Sequence, residues 1–395
     1  MLNKPKTEQK SSVYQQRISV PFEYHVWFTH HLFEPNNPVL RDTLTRLESN
    51  KRHRILTFVD QGVVENQPEL VDKICRYADA HRDVTELVRR PVAIDGGERI
   101  KVDLKCVERM QQIVFEDHID RHSFIIGIGG GAVLDAVGWV AATAHRGVRH
   151  IRVPTTVLAQ NDSGVGVKNG VNKFGVKNYM GSFSPPFAVL NDLEFIMSLP
   201  HRDQIAGIAE AVKVALIRDA DFFDWLEQNA DKLVSIDPQA TEYMIRRCAE
   251  LHMNQIANGG DPFEMGSARP LDYGHWSAHK IESLTNYEIR HGEAVAIGLV
   301  LDAKYSVIEG LLPDGEEIRV HDLLVALGFD LWHPVLEKLD NSGVPVVLNG
   351  LHDFKEHLGG ELCVTLLKEI GVGIEVNEMD SESVSAAINW LKAKA

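Results

Sequence analysis

The sequence predicts an α/β fold: a mainly parallel sheet built from residues 1–190, covered by helices on both faces, followed by a mostly helical half from 191 to 395. Short apolar runs alternate with stretches of helical period as far as about residue 190, as a parallel sheet with crossover helices requires. Beyond Leu199-Pro200 the helical period takes over. A run of glycines between an apolar strand and a helix then puts a candidate site at the carboxyl edge of the sheet.

The elements follow in order. VPFEYHVWFTHHLF (20–33) alternates as an early strand, and VLRDTLTRLE (39–48) reads as a helix. RILTFVD (54–60) is a short apolar run closed by Asp60, a buried strand; PELVDKICRYADAH (68–81) is helical; LVRRPVAI (87–94) is the next strand. CVERMQQIVFEDH (106–118) is a helix before the strand SFIIGIGGG (123–131), and a helix from Ala132 to His145 leads to the strand VRHIRVP (148–154). In the second half IAGIAEAVKVALI, DFFDWLEQNADKLV, YMIRRCAELHMNQIA, HGEAVAIGLVLDAKYSVI and HDLLVALGF favour helices. LCVTLLKEIG is a late strand, and SESVSAAINWLKAK closes the chain as a helix.

With 395 residues, 44% of them hydrophobic, the chain can bury a large core and divide in two. Its net charge of −15, from 56 acidic against 41 basic residues, disfavours a nucleic-acid partner, so an anionic substrate needs its own local cations. Cys75, Cys106, Cys248 and Cys363 form no CxxC pair, which fits a reducing compartment. The start has no apolar core of a leader, and no stretch is long and apolar enough to span a bilayer, so the expectation is a cytoplasmic protein.

Gly127, Gly129, Gly130 and Gly131 lie where backbone amides and a helix amino end can receive a phosphate, although a tight turn without ligand has the same composition. Asp60 suits the hydroxyls of an adenine ribose or serves as a cap. Asp135 in the following helix, and Glu98 with Lys101 in GGERIK, are cofactor contacts or surface groups. VPTTVLAQNDSGVGVKNGVN sets Thr155, Thr156, Asp162, Ser163 and Lys168 in one glycine-rich loop able to present hydroxyls, a carboxylate and an ammonium to a polyhydroxylated phosphate. Lys177 and Asn178 add a second such pair. Glu210 and Lys213 share a helix face within apolar surroundings, where a carboxylate needs a metal or a cation. His275 and His279, four apart, are one metal pair; His275 with His291, leaving His279 for protons or substrate, is another; hydrogen-bonded core histidines are the third reading.

Taken together, GGERIK, GIGGGAVLDAVG, RGVRHIRVPTTVLAQNDSGVGVKNGVN, LPHRDQIAGIAEAVK, DYGHWSAHKIE and HGEAVAIG resemble the dehydroquinate-synthase-like sugar-phosphate cyclases from about Asp60 to the end. The resemblance implies an N-terminal NAD-binding α/β domain joined to a mostly helical domain that binds zinc or cobalt. It assigns Glu210, His275 and His291 to the metal. Asp60, Glu98, Lys101, Gly130, Gly131, Asp135, Thr155 and Thr156 go to NAD, with Asp162 and Lys177 near nicotinamide and substrate. Lys168, Asn178, Lys213 and His279 would contact the phosphorylated sugar, Lys355 is a further substrate lysine, and Arg146 would reach the neighbouring site of a homodimer. The implied reaction runs through transient oxidation, phosphate elimination, reduction, ring opening and aldol closure, with no net redox change.

The chain departs from dehydroquinate synthase at the expected carboxylate clamp. Asp272 stands where that enzyme has asparagine, Arg269 lies one position closer to His275, and His252 replaces a lysine. These changes point to a neutral ketose phosphate, sedoheptulose 7-phosphate first, as in the epi-valiolone synthase branch, with the shikimate-pathway acid second. A metal-dependent polyol dehydrogenase and a noncatalytic NAD-binding protein are the competing classes.

Overall fold

The computed structural model describes residues 13–174, 176–266, 269–341, 343–357 and 360–395. Its strands are β1 (His25–Thr29), β2 (His53–Asp60), β3 (Thr85–Leu87), β4 (Val92–Ile94), β5 (Phe124–Gly129), β6 (Arg149–Pro154), β7 (Lys168–Lys173), β8 (Val176–Phe183), β9 (Ala188–Asp192), β10 (Val364–Glu369) and β11 (Val372–Val376). Seven of them form a parallel sheet in the order β1-β9-β6-β5-β2-β3, with β4 also on β2.

Period-two alternation sorts the side chains of the central strands between two cores. Phe124, Ile126 and Ile128 of β5, with Ile55 and Val59 of β2, pack under the helices Val39–Thr45 and Leu70–Ala80. Ile125, Leu56 and Phe58 face the opposite way, toward the helices Leu104–Glu116 and Gly131–Thr143. With both faces covered, the carboxyl edge is where a ligand can reach the sheet.

The second half packs its helices around Ile208–Arg218 and His291–Ile308, most of whose residues are buried. No helix among the described residues is long and apolar enough to cross a membrane.

Several elements differ from expectation. The early strand is confined to His25–Thr29, and the sheet gains β9, unrecognised in the sequence. LVRRPVAI is two strands, β3 pairing with His53–Ile55 and β4 with Phe58–Asp60. Between them Pro91 has no N–H to donate, and Arg89 turns aside to Asp117 at 2.6 Å. IAGIAEAVKVALI breaks at Gly207 into His201–Ala206 and Ile208–Arg218. The late strand is a hairpin, β10 with β11.

The largest departure is the polar stretch after β6. It holds a π-helical turn, Ala159–Ser163, and then the antiparallel hairpin β7–β8. Its organiser is Arg152, fully buried, whose guanidinium donates to the carbonyls of Gly164 (3.0 Å), Gly166 (2.8 Å) and Lys168 (2.8 Å) and to Asn169 Oδ1 (2.7 Å). The glycines let the backbone wrap this one cation closely enough to engage both terminal nitrogens, while Nε stays buried without a hydrogen-bond partner among the described residues.

Candidate active site

At the carboxyl end of β5 the chain turns through Gly130, with no side chain capping the helix that starts at Gly131. Thr155 N donates to Gly129 O at 3.0 Å, and Thr156 Oγ1 accepts from Ala159 N at 3.1 Å, so the two threonines fix the neighbouring loop against the turn. A Cβ on Gly131 would stand 2.6 Å from Ser163 Oγ, and one on Gly130 would be 3.3 Å from Thr156 Cγ2. Asp60 ends β2 and accepts from Gly62 N at 2.8 Å; burial raises its carboxyl, with the amides of Gly62 and Val63 opposing. Lys101, 2% exposed, pairs with Asp135 at 2.7 Å, while Glu98 is exposed. An uncapped helix amino end in a side-chain-free cradle, with a carboxylate at the end of the next strand, fits a dinucleotide.

The second centre lies on the helical side. Gly274 adopts φ +77° and sits 2.9 Å (as a notional Cβ) from Leu299 N, so only glycine both takes this backbone and leaves room for the helix His291–Ile308. That turn starts the helix His275–Leu284 and aims His275 at Glu210. His275 Nε2 is 3.6 Å and His291 Nε2 3.4 Å from Glu210 Oε1. The other ring nitrogens are engaged: His275 Nδ1 lies 3.0 Å from Tyr273 O, and His291 Nδ1 3.0 Å from Glu282 Oε2. Both imidazoles therefore donate from Nδ1 and turn Nε2 inward, the atom that offers a lone pair to a metal once the ring is neutral.

Glu210 is completely buried, and neither carboxylate oxygen has a well-aligned hydrogen bond. Two imidazole Nε2 atoms and a buried carboxylate, with ligand atoms all within 4.8 Å of one another, fit a divalent ion with an open position, zinc or cobalt by donor type. A second grouping, His279, Glu282 and His291, also falls within that distance. The first is the better site, because Glu282 is already committed to His291 Nδ1.

A chain of charges runs outward from Glu210. Lys213 Nζ is 2.5 Å from Glu210 Oε2 and 3.5 Å from Asp162 Oδ1, and Asp162 Oδ1 is 2.6 Å from His252 Nδ1. Burial opposes the charge on Lys213, Asp162 and Glu210, and their partners win. Lys213 is raised by Asp162 and Glu210; Asp162 is held at about 2 by Lys213 and His252; Glu210 falls well below the usual carboxylate range beside Lys213. Burial likewise opposes His291's charge, and Glu282 lifts it to about 9. Glu282 also meets Lys177 of β8 at 3.8 Å.

Asp135, Asp162, Lys213, His252, Asp272 and His275 are among the walls of a cavity of about 520 Å³ between the two centres. Lys168 and Asn178 border it from the hairpin; Lys168 pairs with Glu264, and Asn178, at φ +55°, donates its N–H to Asn172 Oδ1. Arg269 borders it too, but its guanidinium is bound to Gly266 O (2.6 Å), Glu264 O (3.0 Å) and Glu264 Oε2 (3.1 Å). The expected clamp segment also includes residues 267 and 268, which lie outside the described residues. His279 is exposed, its ring 5.8 Å from that of His291. Lys355 is exposed on the helix Asn349–His357 and is not a wall of the cavity. Arg146 is exposed at φ +65°, past the far end of the helix that begins at the glycine turn.

Sequence reasoning passed over Glu282 and Arg152. A signal for Glu282 existed: it stands three residues after His279, and a carboxylate on an apolar helix face needs a partner.

Comparison with known proteins adds an independent line. The model of the N-terminal part of 3-dehydroquinate synthase matches residues 91–206, and that of the C-terminal part residues 207–347. The 3-dehydroquinate synthase of Halorhodospira halophila is 38% identical over 295 residues, 74% of this chain and 81% of that one. Among solved structures, 2-epi-5-epi-valiolone synthase ValA of Streptomyces hygroscopicus, with NAD+ and Zn2+ bound, superposes with a TM-score of 0.84 at 27% identity, covering 97% of this chain and all of that one. A 2-deoxy-scyllo-inosose synthase with NAD+ and Co2+ shares the fold at a TM-score of 0.74 and 23% identity, over 94% and 96% of the two chains.

Proposed function

This chain belongs to the 3-dehydroquinate synthase family, the NAD- and divalent-metal-dependent sugar-phosphate cyclases, and we propose that its own substrate is a ketose phosphate, sedoheptulose 7-phosphate or a close relative. The observation that carries the choice is the state of the two basic side chains facing the expected carboxylate position. Arg269 is bound to Glu264 and Gly266, and His252 to Asp162, so an acid substrate would have to break one of these contacts to be neutralised. A neutral polyol needs no such cation.

Bound NAD supplies reversible hydride acceptance, and the divalent metal supplies Lewis acidity toward a hydroxyl or carbonyl oxygen. The chain's own groups do the rest. Glu210, His275 and His291 would hold the metal; Asp60, Lys101, Asp135, Thr155, Thr156 and the Gly130–Gly131 turn would hold NAD, with Glu98 at the rim. Lys213, kept cationic by two carboxylates, would steady the negative oxygen that forms when the hydroxyl loses its proton. Lys168 and Asn178, walls of the cavity, with Lys177 beside Glu282, would grip sugar and phosphate from the hairpin, and the exposed His279, its ring near that of His291, would exchange protons with substrate or its phosphate. Holding the opened chain in a cavity of about 520 Å³ brings the enol and carbonyl carbons together for ring closure.

The partner arrangement is a homodimer in which Arg146 completes the neighbour's phosphate site. In its own subunit Arg146 stands a 13-residue helix away from the glycine turn, roughly 20 Å at 1.5 Å per residue. Mixing R146A with K213A protein is expected to restore part of the activity both lack; no recovery on mixing counts against the shared site. The boundary between the two domains is placed near residue 190, supported by β9 ending at Asp192. Four free cysteines suit a reducing, cytoplasmic setting.

The test is product formation from sedoheptulose 7-phosphate and, separately, from the seven-carbon phosphorylated acid of dehydroquinate synthase, each with NAD and zinc or cobalt. Carbocycle and phosphate from the ketose, without accumulated NADH, are expected; dehydroquinate from the acid alone would overturn the assignment.

A further inference from the structure

We propose that His252 and Asp162 form a dyad that makes the cavity accept a substrate hydroxyl, and refuse a carboxylate, where the sugar meets the helix Pro238–Asn258; this rests on the ketose reading above. His252 is a wall of the cavity with its side chain 12% exposed, and its Nδ1 is buried 2.6 Å from Asp162 Oδ1. The approach is off the ideal N–H···O line, yet it decides the tautomer. Asp162 is ionised beside Lys213, and an ionised carboxylate only accepts, so a buried Nδ1 in contact with it carries the proton.

In the neutral ring this leaves Nε2 with a lone pair. It has no hydrogen-bond partner among the described residues, and it lies 3.7 Å from where a Cβ on Gly166, another wall residue, would stand. A lone pair there takes a hydrogen bond from a hydroxyl. Against a carboxylate it sets acceptor against acceptor, with Asp162 adding a negative charge behind. A lysine at the same place would reverse both effects, presenting only donors and a positive charge. Asp162 thus has two duties: it keeps Lys213 charged on one side and sets the histidine's hydrogen-bond direction on the other.

Two measurements on the NAD- and zinc-loaded enzyme test the dyad. First, the ratio of kcat/KM for sedoheptulose 7-phosphate over that for the phosphorylated acid is compared in wild type, H252Q and H252K. H252K is expected to shift the ratio toward the acid by about 30- to 100-fold, the scale of one hydrogen bond to a charged group. H252Q, whose amide keeps an acceptor, stays within about 3-fold of wild type. An unchanged ratio in H252K overturns the proposal, as does an equal shift in H252Q. Second, 15N-labelled histidine spectra at about pH 8, with the His252 signal identified from its loss in H252Q, are expected to show the Nδ1–H tautomer in wild type and its loss in D162N. An Nε2–H tautomer in wild type overturns the dyad. If wild type turns over neither sugar, the ketose reading fails and the spectra alone decide the dyad.

Discussion

The nucleotide end of the sheet and the charged centre of the helical half are built on opposite plans. At the glycine turn the working groups are backbone amides, and side chains are removed to expose them. Around Glu210 the working groups are side chains, and each is held by another: His275 by the Tyr273 carbonyl, His291 by Glu282, Lys213 by two carboxylates. A backbone site is local and survives the loss of a neighbour. A charge network is cooperative, and removing one member leaves a buried charge without its partner.

The largest effect expected from this contrast is in E210Q. It should lose its stoichiometric metal, seen by elemental analysis, and cyclase activity should fall by about a thousand-fold, the scale of several kcal/mol of lost polarisation. NAD affinity, followed by protein fluorescence, should stay within about 2-fold; a parallel loss of NAD binding would break the division into two plans. E282Q leaves the metal ligands in place but loosens His291, so zinc affinity in a chelator competition should drop about 10- to 100-fold. Unchanged zinc affinity would mean that His291 is oriented by its helix alone. In the other region, G131A pushes a methyl against Ser163 Oγ, and NAD should bind about 10-fold more weakly with the metal retained.

The smallest effect sharpens the contrast within the helical half. Asp302, buried and accepting from Trp276 Nε1 (2.8 Å) and Gly274 N (3.1 Å), is pushed up to about 7 by burial, with no cation among the described residues facing it as Lys213 faces Glu210. The fold thus prefers its protonated form, whereas the unfolded carboxyl ionises near 3.8. Its stabilising contribution is complete below about pH 4, declines as pH rises toward 7 and is level above that, a change of up to a few kcal/mol. Urea midpoints for wild type and D302N between pH 5 and 8 check the sign: the mutant should lack that part of the slope.

Much of the sheet was legible because β2 and β5 carry short apolar runs that end at Asp60 and in the glycines, and the glycine turn is a contiguous word. The three candidate metal ligands were a different matter. They are spread over residues 210 to 291, and spacing alone favoured His275 with His279; resemblance to the cyclases was needed to select His291. The hairpin β7–β8 read as a loop since glycine and asparagine depress strand propensity, and what orders it, Arg152, sits on another strand. Likewise the splitting of residues 205–217 came from an approach between distant segments that leaves no local trace.

That approach is at Gly207. A Cβ there would fall 2.5 Å from both Leu158 N and Val157 Cβ, and Asn161 Nδ2 donates to Gly207 O at 2.9 Å. Matches to the two family models meet at this residue, between 206 and 207. It is an inviting place to splice one relative onto another, and a poor one. The seam is keyed to residues 157–161 far upstream, so a chimera inherits a working joint only if that short stretch travels with the helical half.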